Sequence, residues 1–291
     1  MIQESSMQGS EPQPVKAILM TSPTNFGVQC GGNPWLTGNC RGIDRILAVQ
    51  QWSNLRNALS SAGADVIVIP HPPRDCPNAI FASNAGIVYH GRFFSSHSKH
   101  PERQAEELHF TNWFSSHNFS LFLPELPETR QKFSFGGAGD AVFDRWKNLL
   151  WYGFGFCSTL AFKALLDEFF DLTEVIVHPL RLVDPRLYRL DMCFCPLDNG
   201  MVLWYPGAFD NEAQDLIRSR YHTQNIEVSE EDALNFACNS VSIGDFLVTP
   251  IISNQLRNHL ERNGITPIQV DLSEFKKSGG SAKCLTLEIV E

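Results

Sequence analysis

The 291-residue chain has little of what marks several large function classes. It has no basic cluster: 32 Asp and Glu outnumber 23 Lys and Arg, so nothing gathers the positive potential that neutralising nucleic-acid phosphates requires. No apolar signal segment follows Met1, and no membrane partner is expected. The eight cysteines (30, 40, 76, 157, 193, 195, 238 and 284) lack the paired close spacings of a zinc site, which points to a reducing, cytoplasmic setting. Cys193 and Cys195 fall one residue apart on an expected strand, so both face one way, which suits core packing better than a disulfide. The glycine-rich turn Gly136–Gly139 lacks the Lys and Ser/Thr of a phosphate-binding loop.

What is there is a large apolar fraction, 43%, enough for a substantial core. Residues 1–14 are polar and read as a disordered leader, leaving 15–291 as a single domain. Short strand-like runs alternate with amphipathic stretches. Ala17–Thr21 precedes a helix over Ile43–Ala62, on which Ala48, Trp52, Leu55 and Leu59 share a face, and then a strand at Asp65–Pro70. The pattern recurs from Ile80, from Asp140, from Leu190 and from Ala237, with turns such as Asp198-Asn199-Gly200 joining the first two strands. The expected unit is a ββαβ module of roughly 55 residues repeated about five times, architectural rather than letter by letter. Closing such units into a ring would bring residues distant in sequence to one axis.

A glycine-rich loop, Ser278-Gly279-Gly280-Ser281-Ala282-Lys283, delivers Cys284 to the mouth of an apolar strand. A thiol so presented is placed for nucleophilic attack, and Lys283 can favour its thiolate. The plainer reading is a small buried hydrophobe. Four other segments carry polar residues where a structural strand would carry Val or Ile: Cys76–Gly86, Phe135–Asp140, Leu187–Asp191 and Ala237–Ser240. They supply Asn78, Asn84, Gly136, Asp140, Arg189, Asp191 and Asn239 as candidate site residues. An Asp at a strand start is also an ordinary turn cap.

In this order the segments resemble the guanidino-modifying pentein superfamily, nearest its arginine dihydrolase branch. The resemblance runs from Lys16 to Glu288 and rests on Asn33-Pro34-Trp35, Phe81–Gly86, Pro101-Glu102-Arg103 and the Cys284 loop. It implies an α/β fold of the five-bladed α/β propeller type with the active site on a pseudo-fivefold axis. It also implies a cysteine nucleophile, a histidine proton shuttle and carboxylates that grip a guanidinium. No metal or organic cofactor is implied.

The chain departs from that pattern. The family His-Leu-Asp reads Arg189-Leu190-Asp191, Phe-Glu-Gly reads Phe135-Gly136-Gly137, and Pro-Asp reads Pro77-Asn78. Two anions are lost and a cation that holds its proton at any ordinary pH replaces the shuttle. His178 is the histidine nearest in sequence to the altered motif and is not expected to substitute. The implied function is a cysteine-dependent hydrolase or amidine-transfer enzyme with an altered site, taking a small arginine-related or ureide substrate. The alternative is a catalytically degenerate pentein that binds a metabolite or partner without turnover. The sequence is compatible with a homo-oligomer.

Overall fold

The computed structural model describes residues 15–27, 34–36, 42–72, 76–126, 129–170 and 175–290. The leader 1–14, Asn33, Cys30 and Cys40 lie outside them. Strand β1 (Val15–Thr21) leads to helix α1 (Arg45–Ser61) and to β2 (Val66–Ile69). Asp44 starts α1 by accepting from the amides of Ile46 and Leu47, both at 3.0 Å, a carboxylate cap that satisfies two otherwise orphaned donors. The expected face of α1 is buried: Ala48, Trp52, Leu55 and Leu59 pack on Ile18 and Met20 of β1 and on Phe275. Each large side chain so buried contributes roughly 1.5–3 kcal/mol.

The next unit is β3 (Gly86–Tyr89), β4 (Arg92–Ser95), α2 (Pro101–Ser116) and β5 (Ser120–Leu121). It is followed by β6 (Ala141–Asp144), β7 (Leu149–Phe154), α3 (Lys163–Phe170) and β8 (Ile176–Arg181). Then come β9 (Phe194–Pro196), β10 (Val202–Trp204), α4 (Asn211–Tyr221) and β11 (Asn225–Glu227), with the short α5 (Glu230–Leu234) after them. The last unit is β12 (Val241–Ile243), β13 (Phe246–Thr249), α6 (Asn254–Arg262) and β14 (Thr266–Gln269), after which α7 (Ser273–Lys276) leads to β15 (Leu287–Val290).

In each unit the first two strands pair antiparallel and the third returns parallel beside the second, as β6, β7 and β8 do. The helix is the crossover that a parallel return requires. The first unit is split across the chain, because β15 supplies the antiparallel partner of β1. Among the described residues the units form four sheets, not five: β15 also pairs parallel with β3, fusing two units into the order β2-β1-β15-β3-β4-β5. The fold is thus mixed α/β, and the core follows the units in four apolar clusters.

The polar segments differ from expectation in one respect. They are not strand starts but lie just ahead of the strands, three of them in 3₁₀ turns at Pro77–Ile80, Ala82–Ala85, Gly137–Gly139 and Leu190–Met192, and Ala237–Ser240 in a plain turn and bend. A strand interior would point successive side chains to opposite faces, whereas one tight turn gathers several on one side. Among the described residues no helix is long and apolar enough to cross a membrane.

Candidate functional site

The turn ahead of β15 holds Cys284 with 3% of its surface exposed, on the edge of the cluster that contains α1. Its thiol donates to Asp191 Oδ2 at 3.2 Å and receives Asn239 Nδ2 at 3.1 Å. Asn239 fixes this geometry from both ends: its Oδ1 accepts the Cys284 amide at 3.1 Å, and its Nδ2 also donates to the Asp191 carbonyl at 3.0 Å. The Cys284 carbonyl accepts the Ser83 amide at 3.2 Å, tying the turn to the segment that carries Asn84. Gly279, at φ +77°, makes the approach feasible, because a Cβ there would stand 2.9 Å from Tyr188 Oη and 3.1 Å from the Trp35 ring.

Beside this group lies a second, built around Arg189. The side chain is buried, and Nη1 donates to the Gly136 carbonyl at 2.8 Å. A Cβ on Gly136 would meet Asp140 Oδ2 at 2.5 Å and Arg189 Nη1 at 2.8 Å; one on Gly139 would meet Arg189 Nη1 at 3.0 Å and Asn84 Oδ1 at 3.1 Å. The guanidinium therefore fills the space over two glycines that have no side chain to place there. Asp140, wholly buried, accepts Ser158 Oγ at 2.6 Å and the Leu190 amide at 3.2 Å, while Ser158 Oγ accepts the Gly136 amide at 2.9 Å. Asn84 Oδ1 and Asp191 Oδ1 are buried without a hydrogen-bond partner among the described residues.

Burial dominates the electrostatics. It raises the Asp191 carboxyl to about 7, against the pull of Arg189. It raises Asp140 as well, again opposed chiefly by Arg189. The Cys284 thiol is pushed well above its ordinary range by burial and by the neighbouring Asp191. Lys283 does not favour the thiolate in the expected way, because its ammonium is committed to an ion pair with Glu288 in which both side chains are largely buried.

The structure thus brings Cys284, Asp191 and Asn239 into direct contact, and Arg189, Gly136, Asp140 and Asn84 into an adjoining group. Asn78 enters through its main chain, accepting Arg103 Nη2 at 3.4 Å. His178 lies tilted against Trp151 with ring centroids 5.3 Å apart, and burial lowers it to about 4, so it is uncharged near neutrality. Sequence reasoning missed Ser158, Cys157, Lys99 and Glu106. Arg189 acts on both Cys157 and Glu106, and Lys99 and Arg103 join it at Cys157, partly offsetting burial, which raises both groups. The only signal for Glu106 was its place three residues after Arg103 on a helix, where the two form a salt bridge of 2.7 Å.

The family model of eukaryotic N,N dimethylarginine dimethylhydrolase matches residues 39–291. The chain is a guanidino-modifying pentein. This pentein belongs to the arginine dihydrolase branch, being 39% identical over 275 residues to the bifunctional arginine dihydrolase/ornithine cyclodeaminase ArgZ of Synechocystis sp., a match covering 94% of this chain and 38% of ArgZ. It spans well under half the length of that curated relative. The N-terminal domain of ArgZ, solved covalently bound to a reaction intermediate, superposes with a TM-score of 0.88 at 39% identity, over 94% of this chain and 98% of that domain. The dimethylarginine dimethylaminohydrolase of Mycobacterium tuberculosis is 32% identical over 274 residues, covering 94% of this pentein and 86% of the enzyme.

Proposed function

We propose that this pentein is a cysteine-dependent hydrolase or amidine-transfer enzyme whose site has turned from guanidinium toward a small neutral or anionic substrate such as a ureide. Its units are read as five blades of one domain closed about a pseudo-fivefold axis, with Cys284 at that axis. The observation that carries the proposal is the 3.2 Å contact between the Cys284 thiol and the Asp191 carboxyl, which burial brings to about 7. A carboxyl titrating near neutrality accepts and returns a proton at working pH, the task that an imidazole performs in relatives of the usual pattern. Asp191 takes the thiol proton as sulfur attacks the ureide carbon. Collapse breaks the C–N bond, and the departing nitrogen takes that proton, leaving an S-carbamoyl cysteine. Water then attacks the same carbon and breaks the C–S bond, Asp191 passing the water proton back to sulfur. Arg189 repels a cationic substrate and balances developing negative charge on oxygen. Substrate capture in this scheme is by hydrogen bonds from groups such as Asn84, Asn239 and Asp140, with no metal or organic cofactor.

Citrulline and arginine test this as a pair, since they share a backbone and differ in the charge of the reacting group. The protein is incubated with each and with dimethylarginine, ammonia, urea and ornithine are assayed, and the intact protein is weighed. The expected result is a mass increment on Cys284 and product from the ureide alone. Vigorous ammonia release from arginine overturns the inverted charge preference. Silence with every substrate favours a second reading, a pentein that binds without turnover, which the close fit of the Arg189 guanidinium over Gly136 and Gly139 supports. The triple change Asn78→Asp, Gly136→Glu and Arg189→His is expected to raise arginine turnover above that of the parent.

A further inference from the structure

Away from Cys284, Asp191 and Arg189, the structure contains a cavity of about 160 Å³ between α7, the end of α5 and the segment that follows β13. Leu272, Phe236, Pro250 and Ile251 form its apolar wall, and the polar residues that line it include Lys276 and Ser281. None of the candidate catalytic residues lines it. The volume is close to that of a cavity which holds a benzene ring, so a guest of about six to eight heavy atoms fits.

Two of its polar groups are incompletely satisfied. Ser281 is 1% exposed, yet among the described residues its hydroxyl has no hydrogen-bond partner, which is costly for a buried oxygen. Lys276 is half-buried and meets no carboxylate among the described residues; its ammonium donates to the Asn235 side-chain oxygen at 2.7 Å and lies over the rings of Trp35 and Phe236, 5.7 and 5.8 Å from their centroids. Burial depresses its pKa, the behaviour of a cation in want of a counter-ion. The one carboxylate on the wall, Asp271, is engaged elsewhere: its oxygens accept from Gln51 Nε2 at 2.9 Å and the Ser273 amide at 3.0 Å. An apolar wall, a cation without a carboxylate partner and a lone hydroxyl together describe a receptor for a short monocarboxylate.

We propose that this cavity binds a small aliphatic or aromatic monocarboxylate, its carboxylate held by Lys276 and Ser281 and its body against Leu272, Phe236, Pro250 and Ile251. Ser281 and Cys284 belong to one turn, the Ser281 carbonyl accepting the Leu285 amide at 3.1 Å, so the guest sits against the segment that carries the thiol. The site is independent of the substrate proposed above.

Isovalerate is the probe, titrated calorimetrically into the full chain, with isovaleramide as its uncharged counterpart. Isovalerate is expected to bind at least tenfold more tightly than the amide, and Lys276→Met and Ser281→Ala are each expected to weaken it at least fivefold. Thermal unfolding of both variants near that of the parent shows that they remain folded. Arg189→Met is expected to leave the affinity unchanged. The proposal is overturned if isovalerate does not bind, if the amide binds equally well, or if Lys276→Met binds like the parent while Arg189→Met does not, which would assign the anion to the Cys284 site.

Discussion

Replacing Asp191 by Asn is expected to make the protein more stable and less active, with both effects following one titration. The carboxyl is buried and titrates near 7, whereas an ordinary Asp titrates at 3.8. The native state therefore holds the proton to higher pH than the unfolded chain does. Unfolding releases it between those values, so stability declines as pH rises from about 4 to about 7 and levels off above. The displacement sets a ceiling of about 4 kcal/mol on the loss, and relaxation of a buried site lowers the measured value to roughly 1–3 kcal/mol. Asn keeps the size and an acceptor oxygen but has no charge to bury. Denaturant unfolding at intervals between about pH 3 and about pH 8.5 should give curves for parent and variant that agree at the acid end, below the ordinary Asp value of 3.8, and separate with rising pH, Asn the more stable. Alkylation of Cys284 by a small electrophile supplies the functional half. Its rate in the parent should climb through the same midpoint, and the variant should lose that step. Parallel stability curves, or an alkylation profile that Asn leaves unmoved, would refute the assignment of a near-neutral proton to Asp191.

Other substitutions test neighbouring features. Gly136→Ala places a methyl 2.5 Å from Asp140 Oδ2 and 2.8 Å from Arg189 Nη1, which should cost roughly 1–3 kcal/mol. In an Arg189→Ala background the cost should shrink by about 1 kcal/mol, read as a double-mutant cycle. Lys283→Met leaves the largely buried Glu288 without its ammonium and with only Arg145 acting on it from a distance, an expected loss of roughly 1–3 kcal/mol that adding Glu288→Gln largely restores. Tyr221 donates to Asp144 Oδ2 at 2.6 Å and accepts Trp151 Nε1 at 3.0 Å, so Tyr221→Phe strands two buried polar groups and should cost roughly 1–3 kcal/mol by denaturant melts.

Much of the unit structure was legible in the sequence because period and caps agree. The helix expected over Ile43–Ala62 forms at Arg45–Ser61, and Ser253 caps α6 through a 3.1 Å bond from the Leu256 amide. The antiparallel pair of the first unit was not legible, since its partner strand lies at the other end of the chain and only tertiary pairing reveals it. Within the site the residue types were readable but not their alliances. Lys283 immediately precedes the thiol in sequence yet turns to Glu288, and Asp191, at the end of an ordinary-looking turn, acquires its near-neutral titration chiefly from burial. Arg189 turns to the Gly136 carbonyl, where the absence of a side chain at residues 136 and 139 leaves room for its guanidinium.

The placement of β15 has a bearing on the order of assembly. This strand slots between β1 and β3, so one sheet stays divided into two halves, each with an open edge, until β15 arrives. The nucleophile candidate rides three residues ahead of that strand. During synthesis the thiol is therefore made after Asn84, Asp140, Arg189, Asp191 and Asn239, and a nascent chain that stops short of Cys284 carries those neighbours without the sulfur. Pairings that span nearly the whole sequence are slow to form, which makes closure of this sheet the natural late step in folding.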